Sequence, residues 1–280
     1  MAMKNILKIM LMMITIFTIA GSAVYAAEIP VSDQDQLITS SDWTEISNLQ
    51  DEMKKEEPDA TIDYDKALKV YVDCNLIKLQ TADTKKLTSA LESANYVWVI
   101  PFKMEKTYGM FTVAKGLPLR EEAKSVLTKA EQEEVKNHAG KWMITETAEH
   151  TVEPYYDILL EKREALSDCT RVVLVGSQPG MRQPVALGMD DETARIWISL
   201  GYQYPVMEKI PETQNVESGV YSFDSVAEIS DTYIEDSEVS TGAGVQSRSS
   251  MKYVAGIGIV LIGSILILSV LKKKKIKSED

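Results

Sequence analysis

The clearest signal in the chain is a set of short apolar segments between residues 60 and 210. Leu68, Val70, Val72 and Cys74 alternate with polar residues, and this period of two predicts a strand with one buried face. The segment 96–102 is apolar on both faces, which is typical of a central strand. Five further strands are predicted at residues 107–114, 142–146, 171–176, 183–189 and 193–200.

Apolar residues at helical spacing predict four helices among these strands. They are expected over residues 43–55, 83–94, 119–140 and 151–166. Asp42, Asp83 and Thr151 stand where N-caps are expected, and Pro154 suits a first helical turn. Because helices and strands do not alternate regularly, their order predicts an α+β domain with a single mixed or antiparallel sheet and packed helices.

The first 26 residues have the pattern of a secretory signal peptide. Lys4 and Lys8 precede a short apolar run, and small residues follow it up to Ala26 and Ala27. We expect cleavage after Ala26, with a cut after Ala27 as the alternative. The run is shorter than the roughly 20 residues of a spanning helix, which disfavours an uncleaved anchor.

Residues 253–271 predict a C-terminal transmembrane helix. The segment has no charge, and at about 1.5 Å per residue it matches the thickness of the hydrocarbon core. The lysine-rich tail 272–280 follows, so the C-terminus is expected on the cytoplasmic side and the rest of the chain outside. The sequence thus predicts a single-pass protein of the plasma membrane. The tail and the absence of Asn-x-Ser/Thr acceptor sites suggest a bacterial host.

A second pattern lies just before the span. Val239, Ser240, Thr241 and Gly242, followed by an apolar span and lysines, are similar to the sorting signals of Gram-positive sortase substrates. The resemblance implies covalent attachment to the cell wall at Thr241. Glu238 and Val239 stand where those signals have leucine and proline.

Charge divides the exported region into three parts. Residues 28–250 hold all but two of the 42 acidic residues and all but eight of the 30 basic ones, which gives a net charge of -18. Such a field repels phosphate backbones, so nucleic acid is not an expected partner. We expect a polar segment with one helix at 27–59, the α+β domain at 60–210 and an acidic flexible stalk at 211–252, although apolar positions from 220 to 229 could add a strand.

No catalytic or metal-binding motif is found in the sequence. Cys74 and Cys169 could form a disulfide on the exported side or remain buried thiols. Asp190, Asp191 and Glu192 form the densest acidic cluster of the domain, which suits either a turn or a general acid and base. No cofactor and no metal are expected.

The function predicted from the sequence is binding at the cell surface. Tyr202 and Tyr204 beside Gly201 and Pro205 are the candidate contact residues, since exposed aromatic side chains favour protein contacts. The expected partners are the membrane, through residues 253–271, and another envelope protein. The alternatives are a tethered surface hydrolase that uses the acidic residues 190–192 and a wall-attached surface protein.

Overall fold

The computed structural model describes residues 29–150, 152–176, 178–181, 183–202 and 204–230 of the 280-residue chain. The expected signal peptide, membrane span, cytoplasmic tail and sortase-like segment therefore lie outside the described residues. Within those described ranges, no helix combines the length and the hydropathy that a membrane crossing requires.

The described chain forms one sheet of ten strands. The strands are β1 Thr61–Ile62, β2 Leu68–Val72, β3 Asn95–Lys103, β4 Tyr108–Lys115, β5 Trp142–His150, β6 Arg171–Val175, β7 Val185–Met189, β8 Ala194–Ser199, β9 Asn215–Glu217 and β10 Val220–Ser222. Their order is β5-β4-β3-β2-β6-β7-β8-β10-β9, and β1 pairs with the end of β3. Of the ten described strands, only β2 and β6, in the middle, pair in parallel. The expected α+β class with a mostly antiparallel sheet is confirmed.

Seven α-helices accompany the sheet in the described chain. They are α1 Trp43–Ile46, α2 Gln50–Glu56, α3 Thr84–Glu92, α4 Glu121–Lys124, α5 Lys129–His138, α6 Tyr155–Glu161 and α7, which covers residues 223–230. The helix expected over 43–55 is present as α1 and α2, joined by a 3-10 turn. Pro154, rather than Thr151, is the residue before α6.

The helix expected over 119–140 is broken into α4 and α5. Thr128 starts the second helix, because its hydroxyl accepts from the Glu131 N–H while the Glu131 carboxylate accepts from the Thr128 N–H. Val126, an apolar residue within the expected helix, is 75% exposed. The local capping residues therefore override the apolar spacing, and α5 contributes no buried side chain to the core.

The sheet has a hydrophobic core on each face. Leu87 of α3 and Phe223 of α7 pack on one face, which also receives the N-terminal segment. Leu159 of α6 packs on the other face. The central strands β3 and β7 are buried on both sides, as expected for β3.

The sheet curls around α6. His150 ends β5 and Tyr202 follows β8, so five strands separate them in the sheet, which is roughly 29 Å if the sheet were flat. The Tyr202 hydroxyl nevertheless lies 3.1 Å from Nδ1 of His150. Gly201, at a φ of 79°, allows this close approach, since a side chain there would press on Val152.

A buried charge cluster fixes the N-terminal segment to the sheet. Asp35, only 2% exposed, accepts hydrogen bonds from Ser32 at 2.6 Å, Tyr71 at 2.7 Å and Arg171 at 2.8 Å. The Lys69 ammonium lies 3.9 Å from the same carboxylate. Because an unpaired buried charge is costly, these contacts favour one position of the segment on the sheet.

Lys69 is also enclosed by aromatic rings. Its ammonium lies 4.4 Å from the centroid of Tyr96 and 5.2 Å from that of Trp98. The Tyr96 hydroxyl and the Trp98 indole N–H donate to the carboxylate of Asp42, at 2.9 and 3.0 Å. Burial lowers the pKa of Lys69, and this effect outweighs the attraction of Asp35.

The folded domain is larger than the expected 60–210. Leu37, Ile46 and Met53 of the N-terminal segment are fully buried against the sheet. At the other end, β9, β10 and α7 occupy residues expected in the stalk, and Val220 and Val226 are fully buried. The domain therefore includes residues 29–59 and 212–230, while residues 231–252 of the expected stalk lie outside the described chain.

Candidate functional site

The two candidate contact tyrosines are not a shared exposed surface. Tyr204 is 2% exposed, and its hydroxyl donates to the carbonyl oxygen of Pro184 inside the core. Tyr202 is half-buried, with its hydroxyl 3.3 Å from that of Tyr155. The aromatic segment after β8 packs where the curled sheet brings the ends of β5 and β8 together. This packing accounts for the tyrosines of the segment without a partner protein.

His150 extends this tyrosine pair to a chain of three polar groups. Burial lowers the pKa of His150, and the nearby carboxylate of Glu146 opposes the shift. Burial also raises the pKa of Tyr155 and of Tyr202. Burial thus disfavours the charged forms of all three groups.

The acidic cluster after β7 forms a turn. Asp190 accepts from the backbone N–H groups of Glu192 at 2.8 Å and Thr193 at 2.6 Å, and its second oxygen lies 3.3 Å from Nε of Arg195. These backbone hydrogen bonds lower the pKa of Asp190. Asp191 accepts instead from the Thr170 hydroxyl at 2.9 Å. The carboxylates do not converge, so the geometry favours the turn interpretation over a general acid and base.

Both cysteines are free thiols in the structure. Cys74 packs with the core that contains α3, whereas Cys169 packs with the core that contains α6, on the opposite face. Burial raises the pKa of each thiol to about 11. The structure therefore contains no disulfide between them, and neither thiol has the lowered pKa of a nucleophile.

The described chain contains a groove that sequence reasoning missed. It consists of two adjoining cavities of about 390 and 270 Å³. Ala82, Phe223 and Asp224 line both cavities. The larger cavity also touches the start of β8 and the segment around Cys169, and the smaller one touches residues 77–81 and α7.

The rim of the groove is acidic. Asp168 and Asp224 are exposed there, and no other residue of the described ranges forms an ion pair with either. Arg195 is the cation of the lining, but its guanidinium already pairs with Asp190. The groove therefore favours a ligand that carries positive charge.

One exposed apolar side chain lines the groove, and a second is adjacent in sequence to a lining residue. Val216, which lines the larger cavity, is 56% exposed. Leu79, next to the lining residue Gln80 of the smaller cavity, is 44% exposed. An exposed apolar side chain in the lining of a groove favours contact with an apolar or amphipathic partner.

The sequence contained only part of this site. Phe223 and Asp224 fall in the segment expected as a stalk, where the apolar positions 220–229 were the available signal. In the described ranges, no group of three metal-ligating side chains is present. Comparison of the chain with protein-family models, with curated proteins and with solved structures finds no match to any of them.

Proposed function

We propose that the protein is a binding protein of the cell surface, anchored by residues 253–271, whose groove receives a segment of another envelope protein. The observation that carries the proposal is the groove between residues 77–82 and α7, with an acidic rim and the exposed side chain of Val216 in its lining. The signal peptide and the apolar span of the sequence supply the expected location outside a membrane.

The chemistry of the groove defines the kind of segment it would take. Phe223 and the small side chains of Ala82 and Ala194 offer an apolar floor. Asp168 and Asp224 offer carboxylates at the rim. The expected ligand is an amphipathic peptide segment, with apolar side chains on the floor and lysine or arginine at the rim.

The position of the groove in the chain suits a neighbour in the membrane. β9, β10 and α7 form one wall, and only residues 231–252 separate α7 from the expected span. Twenty-two residues can extend to about 75 Å at most, so the groove would stay within reach of the extracytoplasmic parts of membrane proteins.

Site-specific photo-crosslinking in intact cells tests the proposal. A photoreactive amino acid replaces Leu79 or Val216 in the full-length protein. The control position is Val126, which is also apolar, is more exposed than either and does not line the groove. We expect one crosslinked partner at both groove positions and none at Val126. The same crosslink should weaken when Asp168→Asn and Asp224→Asn are combined.

Two results would overturn it. Crosslinks of equal yield at Val126 would indicate nonspecific contact, and crosslinks that join only copies of this chain would indicate self-association. Either outcome leaves the groove without a partner protein.

A further inference from the structure

The outer edge of β5 is open. Among the described strands, β5 is the last at one end of the sheet and pairs only with β4. Across the described residues, no backbone or side-chain hydrogen bond links the outer side of Glu146–His150 to another backbone segment. An open strand edge presents unpaired N–H and C=O groups, which can accept a further strand.

The open edge is regular along five residues. A bulge lies at Thr145, because Thr112 pairs with Glu146 whereas Val113 pairs with Ile144. Beyond this bulge, residues 146–150 pair with residues 108–112 without interruption. Five residues are a usual strand length, so this segment can support one added strand.

Carboxylates lie on both faces of this edge. Glu146 is exposed on the face of His150, and Glu149 is exposed on the opposite face. Glu56 of α2 lies on the face of Glu149, where it accepts from the Thr147 hydroxyl at 2.5 Å. No lysine or arginine occurs between residues 142 and 150. Natural edges are commonly protected by lysine, and this one has the opposite charge.

We propose that β5 binds an extended basic segment of a partner protein as an added antiparallel strand with two lysine or arginine residues three positions apart. The spacing follows from the sheet, since Glu146 and Glu149 are three residues apart and point to opposite faces. In an antiparallel pair, the residues opposite them are also three apart and also point to opposite faces. Two basic residues on one face, two positions apart, would reach only one of the two glutamates.

This surface is distinct from the groove. The groove lies beside β8 and α7, and none of the residues 146–150 lines it. The two proposals can therefore fail separately, and variants at one surface serve as controls for the other.

Peptide binding to the full-length protein in detergent tests the proposal. The probe is a fluorescent eight-residue peptide of threonine and valine with two lysines three positions apart, followed by anisotropy. We expect saturable binding that is lost when alternate peptide nitrogens on the paired side are methylated, because methylation removes the donors of the ladder. A peptide with the lysines two positions apart should bind more weakly.

Charge variants complete the test. Glu146→Gln combined with Glu149→Gln should weaken binding about 2- to 30-fold, because two cross-strand charge pairs are lost. Glu161→Gln combined with Glu164→Gln removes the same charge from two exposed residues three apart and should leave binding unchanged. The absence of saturable binding up to about 1 mM would overturn the proposal. Equal binding of the methylated peptide would do the same, since it would show only diffuse attraction to an acidic protein.

Discussion

Replacement of Asp35 by asparagine tests the buried charge cluster that holds the N-terminal segment. The substitution keeps the shape of the side chain and removes its charge. In the native protein, the contacts of Asp35 with Ser32, Tyr71 and Arg171 are all shorter than 3 Å, and Lys69 lies 3.9 Å away. In the variant, Arg171 and Lys69 would remain close together in a buried region without the Asp35 carboxylate. An Arg171 guanidinium cannot release its proton at any pH of interest.

The expected cost follows from this geometry. Removal of one partner of a buried ion pair typically costs 3–5 kcal/mol, because the remaining charge is uncompensated. Lys69 keeps the attraction of the Asp42 carboxylate, which the substitution leaves in place. We therefore expect a loss at the lower end of this range, about 3 kcal/mol in the free energy of unfolding.

Urea unfolding of the full-length protein in detergent measures this loss. The fluorescence of Trp98 and Trp197, both fully buried, reports the transition. The matched control is Asp33→Asn in the same 3-10 helix, where the side chain is exposed and the expected change is below about 0.5 kcal/mol. A loss below about 1 kcal/mol for Asp35→Asn, with an unchanged slope, would refute the role given to this cluster.

Three further predictions concern other parts of the fold. Burial lowers the pKa of His150 from its usual value of 6.5, so its contribution to stability is present above pH 6.5 and should be lost as the pH falls below that value. The free energy of unfolding should therefore fall between about pH 7.5 and 5.5, and His150→Gln should lack the part of this fall that comes from His150. Cys74 and Cys169 should both be alkylated in the unreduced, denatured protein and react slowly in the native one, and a mass spectrum without either alkyl group would show a disulfide instead. A side chain at Gly116 would overlap a backbone carbonyl oxygen, so Gly116→Ala should cost about 1–3 kcal/mol in urea unfolding, whereas Gly140→Asn, at a φ of 75° with open space around it, should cost less than 1 kcal/mol.

The strands were the most predictable part of the fold. Alternation around Leu68 and Val70, and the doubly apolar segment at 96–102, reflect burial on one or both faces of a sheet. That relation is local, so a single sequence reveals it. The order of strands in the sheet is not local, and the parallel pairing of β2 with β6 joins residues about 100 positions apart.

Polar composition hid two buried segments. The N-terminal segment has few apolar residues, but three of them, Leu37, Ile46 and Met53, are fully buried. The charge of Asp35, which suggests exposure, is instead neutralised inside the fold by residues from β2 and β6. Average composition does not reveal such single buried positions. The prediction of a stalk was wrong at Val220 and Val226, which are fully buried, for the same reason.

The groove shows why the candidate site could not come from motifs. Its walls come from residues 77–82, 165–169, 193–196 and 216–228, which are brought together only when β10 and α7 add to the edge of β8. Each segment has an ordinary local explanation, as a turn, a strand end or a helix start. A function that depends on the convergence of such segments leaves no motif with a fixed spacing in the sequence. Its chemistry becomes visible only as a shared surface, here carboxylates without ion-pair partners in the described chain next to the exposed side chain of Val216. A charge and a shape that complement this surface are therefore the properties by which a partner should be sought.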